Sequence, residues 1–233
     1  MAWVNGVPVH QDKYGDVAKD LSEGYAQRAK FEKSSTYMQE GAFGCEAVIS
    51  GFRLYGLKMQ LEKDPKATDK ITAMSAQAKA SVRKMWKDYD PATDQDITAA
   101  MFKMIHEDVD PAQQPDIIAV VTKKYKGDFT KWAADMFKTS ILTDSTRMMK
   151  FLDNPKAKTL QKDMGMQTML SCLSLYRGVL APGIQDAQVE IDRGYRLMVA
   201  AMREKDPEQM WYPNANSSER LTYGQVNDYS PAD

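Results

Sequence analysis

His10 and His106 are the only two histidines in this 233-residue sequence, and a histidine is the ordinary partner for proton transfer near neutrality. A serine nucleophile activated by histidine and aspartate would have to recruit one of them. His10 falls in a stretch, residues 1–10, that reads as an unstructured leader. His106 follows Ile105 close to a helix end, where a cation would meet the negative end of the helix dipole, a structural placement. No Gly-x-Ser-x-Gly elbow occurs, and no serine is flanked by glycines that would let a carbonyl approach an oxyanion hole. The metal-binding pattern His-Glu-x-x-His is missing, and neither histidine sits three residues after a glutamate. The Gly41-Ala-Phe-Gly44 run has no strand before it and is not a phosphate cradle. Cys45 and Cys172 belong to no Cys-x-x-Cys pair and read as buried free thiols, with the redox compartment left open. Sixteen methionines mostly occupy apolar rungs, where methionine fills irregular gaps in a core. The sequence therefore nominates no catalytic, cofactor-binding or metal-ligating residue, and no cofactor.

The elements that would carry such residues are helical. Ile71, Met74, Ala78, Val82 and Met85 form a regular 3.6-residue ladder. Tyr14, Val17, Leu21 and Tyr25 form another over about residues 12–33. Residues 35–63 are apolar but hold Gly41, Gly44, Gly51 and Gly56, each costing about 1 kcal/mol in a helix interior, which points to close helix packing. Asp90-Pro91, Asp110-Pro111, Gln114-Pro115 and Asn154-Pro155 put proline where one helix ends or the next begins. Further helices are marked by Ile97, Met101, Met104 and Ile105; by Ile117, Ile118, Val121 and Tyr125, stopped at Gly127; and by Phe129, Trp132, Ala133, Met136 and Phe137, capped by Asp128. Leu160, Met164, Leu170, Leu173 and Tyr176 predict a longer helix ending near Gly178. Ile191, Tyr195, Met198 and Met202 predict a last one after Pro182. The fold class expected is all-α, an irregular bundle of eight or nine helices over residues 11–206 with a short extended tail over 207–233.

Composition narrows the function classes. Thirty-one basic against 32 acidic residues, interspersed along the chain, leave no footprint for a phosphate backbone, so no nucleic-acid partner is expected. No apolar run reaches the roughly 18 residues of a membrane span, and no signal peptide is legible. Surface charges such as Lys123-Lys124 read as solvated helix faces.

The tail breaks the helical grammar. Leu221, Tyr223 and Gln225 alternate with Thr222 and Val226 in a period of two, predicting a strand over 221–226. A lone strand cannot satisfy its own backbone groups, so its partners are expected in a part of the protein this chain lacks.

The tail also carries a motif. Tyr212-Pro213-Asn214-Ala215-Asn216-Ser217-Ser218-Glu219-Arg220-Leu221-Thr222-Tyr223-Gly224 resembles a segment of the bacterial chymotrypsin-like dipeptidyl-peptidases, the family of dipeptidyl-peptidases 7 and 11. That family's pattern is Tyr-Pro-Asp-Ala-Asn-Ser-Thr, an apolar residue, then Arg-Leu-Thr-Tyr-Gly. Asn214, Ser218 and Glu219 depart from it. Weaker echoes lie at Tyr14-Gly15-Asp16-Val17 and from Glu40 through Glu46.

The resemblance implies an enzyme of two parts, a double β-barrel bearing a Ser-His-Asp triad and a helical domain inserted within it that caps the cleft. This chain would be most of the insert, with the tail returning to an absent barrel. The triad has no matching position here, so the chain alone is expected to be inactive. The partners implied are a peptide with a free N-terminus and the barrel, and the parent would be periplasmic or at the cell surface; a lone β-edge adds a possible homodimer. A free-standing helical module that binds a peptide or protein is the alternative.

Overall fold

The computed structural model describes residues 2–211 and 221–228. Among them the α-helices are α1 (Ala2–Asn5), α2 (Pro8–Tyr14), α3 (Val17–Thr36), α4 (Glu46–Lys63), α5 (Thr68–Met85), α6 (Pro91–Asp108), α7 (Asp116–Tyr125), α8 (Phe129–Thr139), α9 (Ser145–Asp153), α10 (Ala157–Lys162), α11 (Met164–Leu175) and α12 (Ala181–Lys205). Among these described helices nine have eight residues or more, the scale the sequence predicts. The punctuation reads as expected. Asp90, Asp128, Asp144 and Asp163 each accept a backbone N–H in the first turn of the helix that follows, at 3.0, 2.9, 2.7 and 2.9 Å. Each satisfies a donor that the helix itself leaves without a partner. Lys126, in the left-handed region at φ 58°, and Gly127 at φ 79° close α7.

The body is built from α4 to α11. Trp132 of α8 is fully buried and lies 5.0 Å, centroid to centroid, from the ring of Phe102 on α6. Met136, Leu142, Met148 and Leu160 complete the same interior. Helix α4 runs beside α11. A Cβ added at Gly51 would come within 2.9 Å of the Cβ of Met169, so glycine is required there by backbone approach. The close packing expected of the four glycines in that region is thus met at Gly51, while Gly41 and Gly56 have ordinary contacts at 3.8 and 3.4 Å.

Helices α3 and α12 form a separate antiparallel arm. Continuous core packing stops at Leu180 and does not extend to Ala187 or Ile191 of α12. The arm holds itself together through a glycine seam. Ile191 seats over Gly24, Leu21 over Gly194 and Phe31 over Gly183, each so close that a Cβ would stand 2.6 to 2.8 Å from the facing side chain. Gly194→Val drives a branched side chain into Leu21 and is expected to cost about 1–3 kcal/mol. Hydrogen exchange should show the loss in α3 and α12, with protection of the α6–α8 core unchanged.

Three expectations are corrected. The Tyr14–Val17–Leu21–Tyr25 ladder is broken at Gly15, and Tyr25 is exposed, because the partner helix selects the Leu21–Gly24 face instead. On α6 the buried face holds Thr98, Ala99, Phe102 and Ile105, whereas Ile97 and Met104 are exposed. The predicted end at Gly178 and restart after Pro182 are one continuous rod, in which a π segment (Tyr176–Leu180) joins α11 to α12. The widened turn leaves the proline ring room against the preceding carbonyls.

No strand forms among the described residues. Residues 221–228 carry no regular secondary structure, and Leu221, Tyr223 and Val226 are exposed. A period-2 pattern becomes a strand only when a neighbour supplies backbone partners. The motif residues 212–220 lie outside the described residues.

Candidate functional site

The stretch that reads as unstructured is mostly helical over residues 2–10. Pro8 stands in the first turn of α2, where its missing N–H costs nothing; α2 meets the last turn of α12, and α1 packs on α2. Trp3 stacks on His10 at 3.8 Å, and Val4 and Tyr14 are buried. Glu204 gathers the contacts: Tyr14 Oη donates to it at 2.6 Å, Lys13 Nζ at 2.8 Å, and His10 Nε2 lies 3.6 Å away. The Lys13 ammonium and the Tyr14 hydroxyl hold the Glu204 carboxyl below its usual range. A lowered folded-state value means that the stabilisation is present above the ordinary glutamate pKa, about 4.3, and is lost as pH falls through the folded value. Acidification below about pH 4 should therefore release α2 before the body unfolds, as should Glu204→Gln at neutral pH. NMR amide shifts of α2 moving to random-coil values would check both.

The other candidate residues lie apart. His106 is exposed in the last turn of α6, its ring 5.5 Å from Phe129, in the structural setting expected. It is far in the chain from His10, and among the described residues neither histidine side chain hydrogen-bonds a serine. Cys45 and Cys172 are both free and fully buried, and burial pushes the Cys45 thiol up to about 12. Among the described residues no three His, Cys, Asp or Glu side chains converge as a metal site, and no helix is long and apolar enough to cross a membrane.

What the fold does present is a surface. The sequence reads Ile191, Tyr195, Met198 and Met202 as one core-facing ladder, yet only Ile191 is buried. Tyr195, Met198, Val199 and Met202 stand 36 to 45 % exposed, joined across the arm by Tyr25, whose hydroxyl meets that of Tyr195 at 2.9 Å. The Tyr25 hydroxyl is held above its usual range chiefly by this contact. The stripe sits at the end of the arm where α1, α2 and the exit of α12 meet. Further along the arm, a groove of about 490 Å3 sets Asp20, Glu23, Asp186 and Glu190 around Phe31 and Ala187. Sequence periodicity locates the apolar residues but cannot separate a face buried by its own fold from one left for a partner. Glu204, the centre of the clasp, carries no sequence signal beyond helix-end charge.

Relatives place this arrangement in context. Dipeptidyl-peptidase 7 of Porphyromonas gingivalis is 31% identical over 225 residues, covering 94% of this chain and 30% of the relative. The Asp/Glu-specific dipeptidyl-peptidase of the same organism is 25% identical over 240 residues, covering 100% of this chain and 32% of its own length. The chain thus spans about 30% of such relatives. The fold is shared with the crystal structure of Porphyromonas endodontalis DPP11 in complex with the dipeptide Arg-Glu, at TM-score 0.70 and 18% identity over 88% of this chain and 28% of that one. The Peptidase S46 family model matches residues 1–233, and the chain belongs to the peptidase S46 family.

Proposed function

We propose that this chain is the helical lid of a serine dipeptidyl-peptidase, closing over a peptide while a separate catalytic domain removes dipeptides from its free N-terminus. The observation that carries the reading is the clasp at Glu204. It holds α2 against the last turn of α12, so the first and last long stretches of the helical bundle lie side by side, an arrangement that suits a domain inserted into another. The uncovered apolar stripe beside the clasp supplies the surface on which such a neighbour would rest. A lid serves the reaction by excluding water and restricting access to the cleft. By the same resemblance the parent would work in the periplasm or at the cell surface.

A fluorogenic dipeptide assay tests the reading. This chain alone should give no turnover sensitive to a serine-directed inhibitor, while the chain extended by its flanking coding sequence should release the dipeptide. Turnover by the chain alone, or flanks that carry no Ser-His-Asp set, would overturn it.

A further inference from the structure

Most of the tyrosine hydroxyls that bond other side chains meet a different chemical group. Tyr14 donates to Glu204, Tyr37 to Asp108 and Tyr89 to Asp94, while Tyr176 accepts from Gln39. Tyr25 and Tyr195 differ. Their hydroxyls meet each other at 2.9 Å, and among the described residues no other two phenols are hydrogen-bonded. Both side chains are exposed. A hydrogen bond in that setting adds little to stability, because water can replace it at small net cost. What the pair does provide is two oxidisable rings set head to head.

The backbone beneath the pair is fixed by the glycine seam. Tyr25 follows Gly24, over which Ile191 seats, and Tyr195 follows Gly194, over which Leu21 seats; a Cβ at either glycine would stand 2.7 to 2.8 Å from the facing side chain. Ile191 lies about one turn before Tyr195, and Leu21 about one turn before Tyr25. The helices cannot part at this level without opening both contacts. About one turn further along α3, Arg28 Nη1 donates to Gln188 Oε1 at 2.8 Å and ties them again. The fold, and not their own contact, therefore brings the two rings together.

Phenols so placed have a defined chemistry. A peroxyl radical takes the hydrogen atom of a phenol hydroxyl and leaves as a hydroperoxide. The phenoxyl radical shares its unpaired electron between the oxygen and the ring carbons ortho and para to it. Two such radicals join by a carbon–carbon bond between ortho carbons; each joined carbon then passes its hydrogen, by way of water, to the oxygen of its own ring, which restores both hydroxyls and both aromatic rings. Two tyrosines and two peroxyl radicals thus become one biphenol and two hydroperoxides. The Tyr25 hydroxyl is held above its usual range chiefly by its contact with Tyr195, so at neutral pH it is a phenol with a hydrogen atom to give.

We propose that Tyr25 and Tyr195 are an oxidative cross-linking site, at which peroxyl radicals tie α3 covalently to α12. The bond joins residues 170 positions apart and staples the arm at the end that carries the apolar stripe. Met198 and Met202, exposed on the same face of α12, form no such bond, since a thioether takes up oxygen instead. The site goes beyond the lid reading and needs no part of it: it operates on this chain whenever the surface around the pair stands open to solvent.

Peroxyl radicals released by thermal decomposition of an azo initiator test the site on the whole 233-residue chain. After digestion, mass spectrometry should find the segment holding Tyr25 joined to the segment holding Tyr195, short of two hydrogen atoms, in protein that still runs as a monomer. Its yield should be roughly tenfold that of any link through Tyr223, because placement and not exposure sets the rate. Tyr223 is far more exposed than either partner and hydrogen-bonds no phenol among the described residues. Tyr25→Phe and Tyr195→Phe keep the ring, and each should remove the linked segments. Hydrogen exchange in α3 and α12 should slow in the linked monomer and stay unchanged in treated Tyr25→Phe. Links found only between two copies, or an equal yield through Tyr223, would overturn the site; exchange in the linked monomer as fast as in untreated protein would overturn the staple. No peptide is hydrolysed in this test, so its failure leaves the lid reading as it stands, and an inactive parent leaves the cross-link as it stands.

Discussion

Asp163→Ala should destabilise the body by about 3–5 kcal/mol, the cost of stripping a buried network of its charged member. The Asp163 carboxylate is almost wholly buried between α10 and α11. It accepts from Ser140 Oγ at 2.8 Å, from Ile141 N at 2.7 Å and from Met166 N at 2.9 Å, so one side chain caps α11 and fastens the turn after α8. Alanine leaves two buried backbone N–H groups without acceptors and leaves the Ser140 hydroxyl, which still accepts from Leu142 N, with nothing to donate to; each such loss costs about 1–3 kcal/mol. Water cannot easily reach them, because Gly165 brings the α11 backbone so close that a Cβ there would stand 2.7 Å from Ser140 Oγ. Asp163→Asn keeps the volume and one acceptor but turns an amide N–H2 toward donors, and should cost about half as much. Urea denaturation checks the order: the midpoint should fall in the sequence wild type, Asn, Ala with an unchanged slope.

Asp94→Ala should cost about 3 kcal/mol, and the helix it unseats is not its own. Helix α4 begins after Cys45, whose side chain makes no capping hydrogen bond. The cap comes instead from α6, where buried Asp94 accepts from Glu46 N at 2.9 Å and Ala47 N at 2.8 Å. A carboxylate at a helix N-terminus also meets the positive end of the dipole. Tyr89 completes the arrangement, its hydroxyl donating to Asp94 at 2.9 Å.

Burial first, and the neighbouring Asp94 charge second, push the Tyr89 phenol well above its usual range. For a raised folded-state value the contribution is full below the unfolded tyrosine pKa, about 10, and is lost as pH rises beyond it. Stability of the unaltered protein should thus decline above about pH 10, and Tyr89→Phe should remove that part of the decline at a cost near 1 kcal/mol at neutral pH. A double-mutant cycle between Asp94→Ala and Tyr89→Phe should show coupling, because with Asp94 gone the Tyr89 hydroxyl has already lost its acceptor. Additive losses would mean the two side chains act separately.

The sequence by itself determined the helical class, much of the punctuation and several core faces. Asp90 and Asp128 before their helices, the αL stop at Lys126-Gly127, and the Phe129–Trp132–Met136 face of α8 are all local chemistry, written within a few residues and formed as written. The motif that resembles the family is equally local, written in the tail, while the family model matches residues 1–233. What tertiary structure decided is which apolar face each helix spends on its own fold. Tyr25, Ile97, Tyr195 and Met202 satisfy the helical period as well as Leu21, Phe102 or Ile191 do, but they stay exposed, whereas Phe102 and Ile191 are buried and Leu21 seats over Gly194. Periodicity fixes the angle of a side chain about its own axis and carries nothing about what stands opposite. The same reason hid the Asp94 cap, which reaches across 48 positions of sequence, and the Glu204 clasp, which spans 190. It also governs residues 221–226: alternation is intrinsic to them, but a strand needs the backbone of a second paired segment, and among the described residues none pairs with them.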